Sequence, residues 1–196
     1  MPRALRIHYE NACYHVILRG NNYEDIFLSD NDQLLFCALL EKAIQKFNFK
    51  IHLFCLMTNH VHLLIQVSET PLSKIMQNIS MRYTYWLNKK LARVGHVFQG
   101  RYKAILVEKD EYLLELCRYI HFNPVKAAIT TRAEDYHWSS HNDYLGKRHF
   151  PWLTTIWILN YFHENSLIAE REYKIFMKAA NPNFSPKEGS DPGSDP

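Results

Sequence analysis

The chain has 196 residues, a formal net charge of +3 and 47% hydrophobic residues, which fits one domain of ordinary size with a sizeable core. No apolar run reaches the roughly 18–20 residues that span a bilayer, and the N-terminus lacks the apolar run of a secretory signal. The four cysteines form no CxxC pair, which argues against a cysteine zinc site. We therefore expect a cytoplasmic protein that does not associate with membranes.

The first half of the chain predicts a strand, a helix and a hairpin. Residues 14–18 are rich in strand-forming residues and end at the turn-prone residues 19–22. Apolar residues at helical spacing follow Asp30 and Asp32, either of which can cap a helix. Two further strands, 50–57 and 60–67, are separated by only two residues. A connection this short predicts an antiparallel hairpin.

The second half predicts a helix over 72–93, which starts after Pro71 and ends by Gly95, and then a strand over 102–107. Asp110 can cap a third helix, which we expect to stop at Asn123 and Pro124. The order β-α-β-β-α-β-α contains the split βαβ plan in its first six elements. It predicts an α+β, ferredoxin-like fold, with an antiparallel sheet and helices on one face.

Three regions follow along the chain. Residues 1–150 are expected to form the main domain, and residues 151–180 a small helical extension. Residues 181–196 are rich in Pro, Gly, Ser and Asp and predict a disordered tail.

Basic residues are concentrated between residues 71 and 107, where no Asp or Glu occurs. Such a patch is typical of a phosphate-binding surface, although a solvated helix face gives the same pattern. The loop 98–103 adds an amide and two aromatic rings, a mixture suited to a single DNA strand. The candidate DNA-binding residues are Arg82, Lys89, Lys90, Arg93, Gln99, Arg101 and Lys103.

The sequence His60-Val61-His62 lies on a predicted strand, where residues i and i+2 point to the same face. Two imidazoles side by side can ligate one divalent metal ion. The chain has 11 histidines, however, so such a triplet can also arise by chance.

Tyr119 and Asn123 are four residues apart and lie on one face of the third predicted helix. The Asn123 amide oxygen suits Mg²⁺ or Mn²⁺, and Tyr119 can present its phenol as a nucleophile. Alternatively, Tyr119 packs in the core and Asn123 only caps the helix. Tyr112 is a rival nucleophile on nearly the same face, and Glu115 is a candidate base or a partner of a metal ligand.

Taken together, these stretches resemble the single-tyrosine HUH transposases of the insertion-sequence type, and within them the REP-associated tyrosine transposases. The resemblance covers roughly residues 8–146. The stretches that carry it are Phe54-Cys-Leu-Met-Thr-Asn-His-Val-His-Leu-Leu64, Val97-Phe-Gln-Gly-Arg-Tyr-Lys103, Tyr119-Ile-His-Phe-Asn-Pro-Val-Lys126 and Trp138-Ser-Ser-His-Asn-Asp-Tyr-Leu-Gly146.

The resemblance implies a role for each matching residue. His60 and His62 take the positions of the two metal-binding histidines, Asn123 that of the third ligand, and Tyr119 that of the nucleophile. The implied reaction is attack on single-stranded DNA beside a hairpin, with a 5′-phosphotyrosine link, a free 3′-hydroxyl and Mg²⁺ or Mn²⁺. In two positions the chain departs from the family pattern, Thr58 in place of Pro and Ala128 in place of Gly, which affects loop geometry rather than reacting groups.

Two questions stay open at the level of sequence. A ferredoxin-like sheet with aromatic residues is also a common plan for non-catalytic DNA- or RNA-binding modules, which is the alternative function. The oligomeric state is also open, because the resemblance is compatible with a homodimer or a monomer.

Overall fold

The computed structural model describes residues 9–108 and 110–179, so the tail predicted over 181–196 lies outside the described residues. The strands are β1 (Cys13–Arg19), β2 (Lys50–Leu56), β3 (His60–Gln66) and β4 (Lys103–Leu106). The helices are α1 (Asp30–Phe47), α2 (Leu72–Lys90), α3 (Asp110–Lys126), α4 (His141–Tyr144), α5 (Ile156–Leu159) and α6 (Ser166–Lys178).

The four strands form one antiparallel sheet in the order β2-β3-β1-β4. This is the strand order of the split βαβ plan, so the predicted α+β fold is confirmed. The hairpin β2–β3 forms as expected across Met57, Thr58 and Asn59. In β2 the register shifts between Ile51 and Leu53, which marks a bulge.

Both faces of the sheet are buried. Val16 and Leu63 lie on one face, while His15 and His62 lie on the other, and all four side chains are 3% exposed or less. Helix α3 covers the histidine face, where the ring of Tyr119 contacts both histidine rings. The candidate functional histidines therefore lie on a covered face of the sheet rather than at an open edge.

The ends of α1 and α2 differ from their sequence-based positions. Ser29 caps α1, and its capping box is closed by Asp32, so neither Asp30 nor Asp32 is the cap itself. Helix α2 ends at Lys90 rather than at Arg93, because Ala92 adopts a left-handed conformation, with φ of 49°. Gly95 lies beyond this turn.

Helix α3 does not stop at Asn123 and Pro124 as predicted but continues to Lys126. Pro124 removes one helical N–H. The final turn is nevertheless held by backbone hydrogen bonds from Ala127 to Asn123 at 2.9 Å and from Ile129 to Pro124 at 2.9 Å. The helix consequently keeps Asn123 inside its regular backbone rather than at its end.

A buried polar cluster joins α6 to α3. The Tyr173 hydroxyl of α6 lies 2.7 Å from Nδ1 of His121 and 2.5 Å from Nδ1 of His141. On its other side, Nε2 of His121 lies 2.6 Å from the Ser140 hydroxyl. Arg118 of α3 also donates to the Phe176 carbonyl at 3.0 Å. Residues after 150 thus pack into the same core as the sheet. No helix in residues 9–108 and 110–179 has the length and apolar character to cross a membrane.

Candidate metal and tyrosine site

The two histidines of β3 lie side by side on the face covered by α3. His60 is half-buried and His62 is 3% exposed, and their ring centroids are 4.9 Å apart. Nδ1 of His60 lies 2.7 Å from the Asn59 amide oxygen, and Nδ1 of His62 lies 3.0 Å from Nε2 of His15. Both rings are therefore held through Nδ1, which leaves each Nε2 for another partner.

His15 is a member of this group that the sequence analysis did not identify. It lies on β1, where Ile17 pairs with His62 and His15 pairs with Leu64, so His15 and His62 are diagonal neighbours on one face. Their rings stack with centroids 5.2 Å apart, and His15 is fully buried. The sequence feature that could have pointed to His15 is its position on a predicted strand, where it is the only polar residue among apolar ones.

Tyr119 and Asn123 meet the histidines from α3. The Tyr119 ring lies edge-on to the His62 ring, with centroids 5.6 Å apart. One helical turn later, Nδ2 of Asn123 donates to the Tyr119 carbonyl at 2.9 Å, so its amide oxygen points elsewhere. The structure thus brings the Tyr119 ring against His62, which lies beside His60, while Asn123 follows Tyr119 one turn later on the same helix.

Burial keeps the histidines of this site neutral. It lowers the pKa of His60 to about 4, with a further contribution from the charge of Arg19. Burial also lowers the pKa of His62 well below its ordinary value, and that of His15 to about 4. Neutral imidazoles retain the lone pair that a metal ligand needs, so these histidines could act as metal ligands at neutral pH.

The Tyr119 phenol experiences opposing influences. Its pKa is raised overall because burial outweighs a hydrogen bond from the Asn123 side chain and the positive charge of Arg19, both of which lower it. The ammonium group of Lys126 lies 4.8 Å from the centre of the ring. Arg19 pairs with His60 across β1 and β3, so cations flank the phenol and the histidines where a phosphate would approach.

The donor set fits a hard divalent cation. Among the described residues, no three His, Cys, Asp or Glu side chains form a group that could hold a metal ion. His60 and His62 would therefore need Asn123 as a third, amide ligand, which leaves positions open for substrate and water. Nδ1 of the buried His15 has no hydrogen-bond partner among the described residues, so the hydrogen bonding of this group is incomplete there.

The two alternative residues of α3 occupy other surroundings. Tyr112 precedes Tyr119 by seven residues, about 10 Å along the helix axis, and packs partly buried against the core. The Glu115 carboxylate accepts hydrogen bonds from Arg118 at 2.7 and 2.9 Å. Since Arg118 also contacts Phe176 of α6, Glu115 is directed toward the C-terminal helix rather than toward His62.

The basic residues of segment 71–107 divide into two groups. Lys90 forms an ion pair with the fully buried Asp32, and Arg93 forms one with Glu24 at 3.3 Å. Part of the positive charge is thus neutralised within the fold. The remaining candidates for DNA contact are exposed; these are Arg82, Lys89, Gln99, Arg101 and Lys103.

The loop 98–103 lies beside the histidines. The backbone N–H of Gln99 donates to the Arg19 carbonyl at 2.9 Å. Lys103 pairs with Ile17 of β1, which in turn pairs with His62, so these three residues form one row on one face. Neighbouring strands are about 5 Å apart, which puts Lys103 roughly 10 Å from His62 across the sheet.

Comparisons with known proteins identify a matching family and a similar fold. The family described as IS200-like transposase matches residues 8–123. No curated protein matches the chain. A solved structure of a REP-associated tyrosine transposase bound to a REP hairpin has 14% sequence identity and a TM-score of 0.64, covering 79% of this chain and 98% of its own. A putative transposase from Deinococcus radiodurans R1 has 12% identity and a TM-score of 0.43, covering 61% and 95%.

Proposed function

Because this chain belongs to the IS200-like transposase family, we propose that it is a metal-dependent single-stranded DNA endonuclease and strand transferase with Tyr119 as its nucleophile. Residues 1–150 carry the chemistry in this proposal, and the helical extension 151–180 supports it. The family assignment gives the reaction class, DNA transposition, and the residues of the site supply the mechanism.

One observation carries the proposal. The Tyr119 ring lies against His62, with centroids 5.6 Å apart, while His60 is beside His62 and Asn123 follows one helical turn after Tyr119. The proposed nucleophile thus lies against one proposed metal ligand and close to the second, and Asn123 on the same helix is the third ligand that we propose. A non-catalytic binding module would need charge and aromatic rings, but not this set of four residues.

The proposed step exchanges one ester bond for another. The Tyr119 phenol oxygen attacks the phosphorus of a DNA phosphodiester, and the bond to the 3′-oxygen breaks. The phenol proton is balanced by the proton that the leaving 3′-oxygen takes up, so the products are a 5′-phosphotyrosine and a 3′-hydroxyl. Because the new bond is also a phosphodiester, another 3′-hydroxyl can reverse the step and join a different strand.

A divalent ion, Mg²⁺ or Mn²⁺, would polarise the phosphate and neutralise developing charge. His60 and His62 would hold it through Nε2, and Asn123 through its amide oxygen. Arg19 and Lys126 add positive charge around the phenol. This charge favours the approach of a phosphate, and the charge of Arg19 partly opposes the burial that raises the pKa of Tyr119.

We propose a single-stranded or hairpin DNA as the substrate. The solved relative is bound to a REP hairpin. In this chain, exposed basic side chains offer phosphate contacts; these are Arg82, Lys89, Arg101 and Lys103. Tyr119 contacts the histidines of its own chain. A monomer is therefore sufficient in this proposal, although a homodimer can be distinguished by the measured mass of the DNA complex.

The central test is formation of a covalent adduct with a hairpin-bearing, 3′-labelled oligonucleotide in Mg²⁺ or Mn²⁺. Wild type should give a protein–DNA band on a denaturing gel, and Tyr119→Phe should give none. Tyr112→Phe is the matched control and should retain the band. An adduct of normal yield in Tyr119→Phe would contradict the proposal, and loss in Tyr112→Phe alone would assign the chemistry to that residue.

A further inference from the structure

His15 is a buried histidine that no step of the proposed reaction uses. Its Nε2 lies 3.0 Å from Nδ1 of His62, and the side chain is fully buried. Its other nitrogen, Nδ1, has no hydrogen-bond partner among the described residues. A buried polar nitrogen without a partner is costly, so this arrangement calls for a compensating role.

The hydrogen bond between the two rings links the choice of protonated nitrogen in one ring to the choice in the other. A neutral imidazole carries one N–H, and two imidazoles that meet nitrogen to nitrogen need one donor and one acceptor. If His62 presents its Nε2 lone pair to a cation, its proton must be on Nδ1. His15 must then accept that proton's hydrogen bond at Nε2 and carry its own proton on Nδ1.

The opposite arrangement is incompatible with metal binding. If His15 donated from Nε2, His62 would accept at Nδ1 and would hold its proton on Nε2, where the cation should be. Whether His15 accepts or donates the hydrogen bond at Nδ1 of His62 therefore determines whether His62 can be a metal ligand. Histidine ligands in metal sites are generally oriented in this way by a hydrogen bond from their other ring nitrogen.

We propose that His15 is a positioning residue that accepts a hydrogen bond from Nδ1 of His62 and holds Nε2 of His62 toward the metal ion. The proposal rests on the proposed function, because it takes His62 as a ligand. It adds a residue from a different strand, β1, to the group on β3 and α3. His15 has no contact with the DNA in this account and acts only through His62.

The first measurement is Mn²⁺ affinity by calorimetry, without DNA. His15→Leu removes the acceptor and should weaken Mn²⁺ binding by about 10- to 100-fold. His15→Gln can place an amide oxygen near the position of Nε2 and should recover most of that loss. His141→Gln, at a buried histidine outside the site, should bind Mn²⁺ as wild type does.

The second measurement locates the protons by ¹⁵N NMR of histidine side chains in the wild-type protein with saturating Mg²⁺. We expect the His15 proton on Nδ1 and a lone pair on Nε2. A His15 proton on Nε2 would overturn the proposal, as would wild-type Mn²⁺ affinity in His15→Leu. The NMR result does not depend on whether any variant folds.

Failure of this inference differs from failure of the proposed function. If His60→Ala loses Mn²⁺ affinity while His15→Leu retains it, the histidines are ligands and only the role of His15 is wrong. If neither His60→Ala nor His62→Ala affects Mn²⁺ binding, the metal site itself is wrong. Loss of affinity in His15→Leu that His15→Gln restores supports both.

Discussion

Among the described residues, the buried pair His15 and His62 differs from the buried pair His121 and His141 in how many of the ring nitrogens have hydrogen-bond partners. The rings of His15 and His62 are 5.2 Å apart, and those of His121 and His141 are 5.4 Å apart. Both nitrogens of His121 have hydrogen-bond partners within the fold. In the first pair, by contrast, Nδ1 of His15 has no partner among the described residues.

The difference shows that burial of a histidine does not by itself indicate a functional site. His121 is satisfied by Tyr173 and Ser140, and its role is to connect α3 with α6 and with the chain beside β2. His62 directs Nδ1 to His15, whose own Nδ1 has no partner among the described residues, and the His62 ring lies against Tyr119. A histidine whose hydrogen bonds are incomplete inside the fold is the better candidate for binding something outside it.

The largest expected effect is a loss of activity on substitution of His62, which distinguishes it from His121. His62→Ala should lower DNA nicking by at least about 1,000-fold, about 4 kcal/mol of transition-state stabilisation, because a metal ligand is lost. Hairpin binding, measured by gel shift, should stay within about threefold of wild type, since exposed basic residues provide affinity. Equal loss of nicking and binding would mean that His62 is structural like His121.

The next largest effect is a loss of folding stability on substitution of His121. His121→Ala should lower the free energy of unfolding by roughly 3 kcal/mol, because it leaves a cavity and removes hydrogen bonds to Tyr173 and Ser140. Urea denaturation measures this loss. At low temperature the folded variant should still nick DNA. An unchanged unfolding free energy together with lost nicking would instead give His121 a functional role.

A smaller effect concerns acid stability. Burial lowers the pKa of His141 to about 4, whereas an unfolded histidine titrates near 6.5. The unfolded chain therefore binds a proton first as the pH falls, and stability from this group is complete above about 6.5 and is lost toward 4. At pH 5 the cost is about 2 kcal/mol.

His141→Gln provides the measurement for this effect, because glutamine does not titrate. Urea denaturation at pH 7 and pH 5 should show a smaller difference in unfolding free energy for the variant than for wild type. The same difference in both proteins would contradict a neutral, buried His141.

The smallest effect extends the comparison from histidines to two adjacent lysines. Lys89 is exposed, while Lys90 pairs with the buried Asp32. Lys89→Gln should weaken hairpin binding less than about tenfold and reduce the salt dependence of affinity by about one counterion. Lys90→Gln should instead lower stability, since it leaves the Asp32 carboxylate without its cation. Fluorescence anisotropy across a salt series distinguishes the two variants.

The sequence predicted those features of the fold that depend on neighbours along the chain. The hairpin β2–β3 was predictable because its connection is so short, and the period of two put His60 and His62 on one face. In the same way, the spacing of four put Tyr119 and Asn123 on one side of α3. The structure brings these two local patterns together across the sheet, although their roles stay a prediction.

Features that depend on distant contacts were not predicted. The place of His15 depends on the register between β1 and β3, which no local pattern specifies. Helix α3 passes through Pro124 because later backbone groups hold its last turn. Likewise, the pairing of Lys90 with Asp32 joins residues from two helices. A count of basic residues in segment 71–107 therefore overstates the charge open to DNA.

The hydrogen bond between Tyr173 and His121 also has a consequence in time. The two residues are 52 positions apart, and Tyr173 on α6 is synthesised after His121 on α3. During synthesis, His60, His62 and Tyr119 leave the ribosome well before Tyr173 does. His121 can reach its Ser140 partner earlier, but its hydrogen bond to Tyr173 forms only at that late stage, and contacts of long sequence separation form slowly. The nascent chain thus completes this fold only after nearly all of its described residues have been translated.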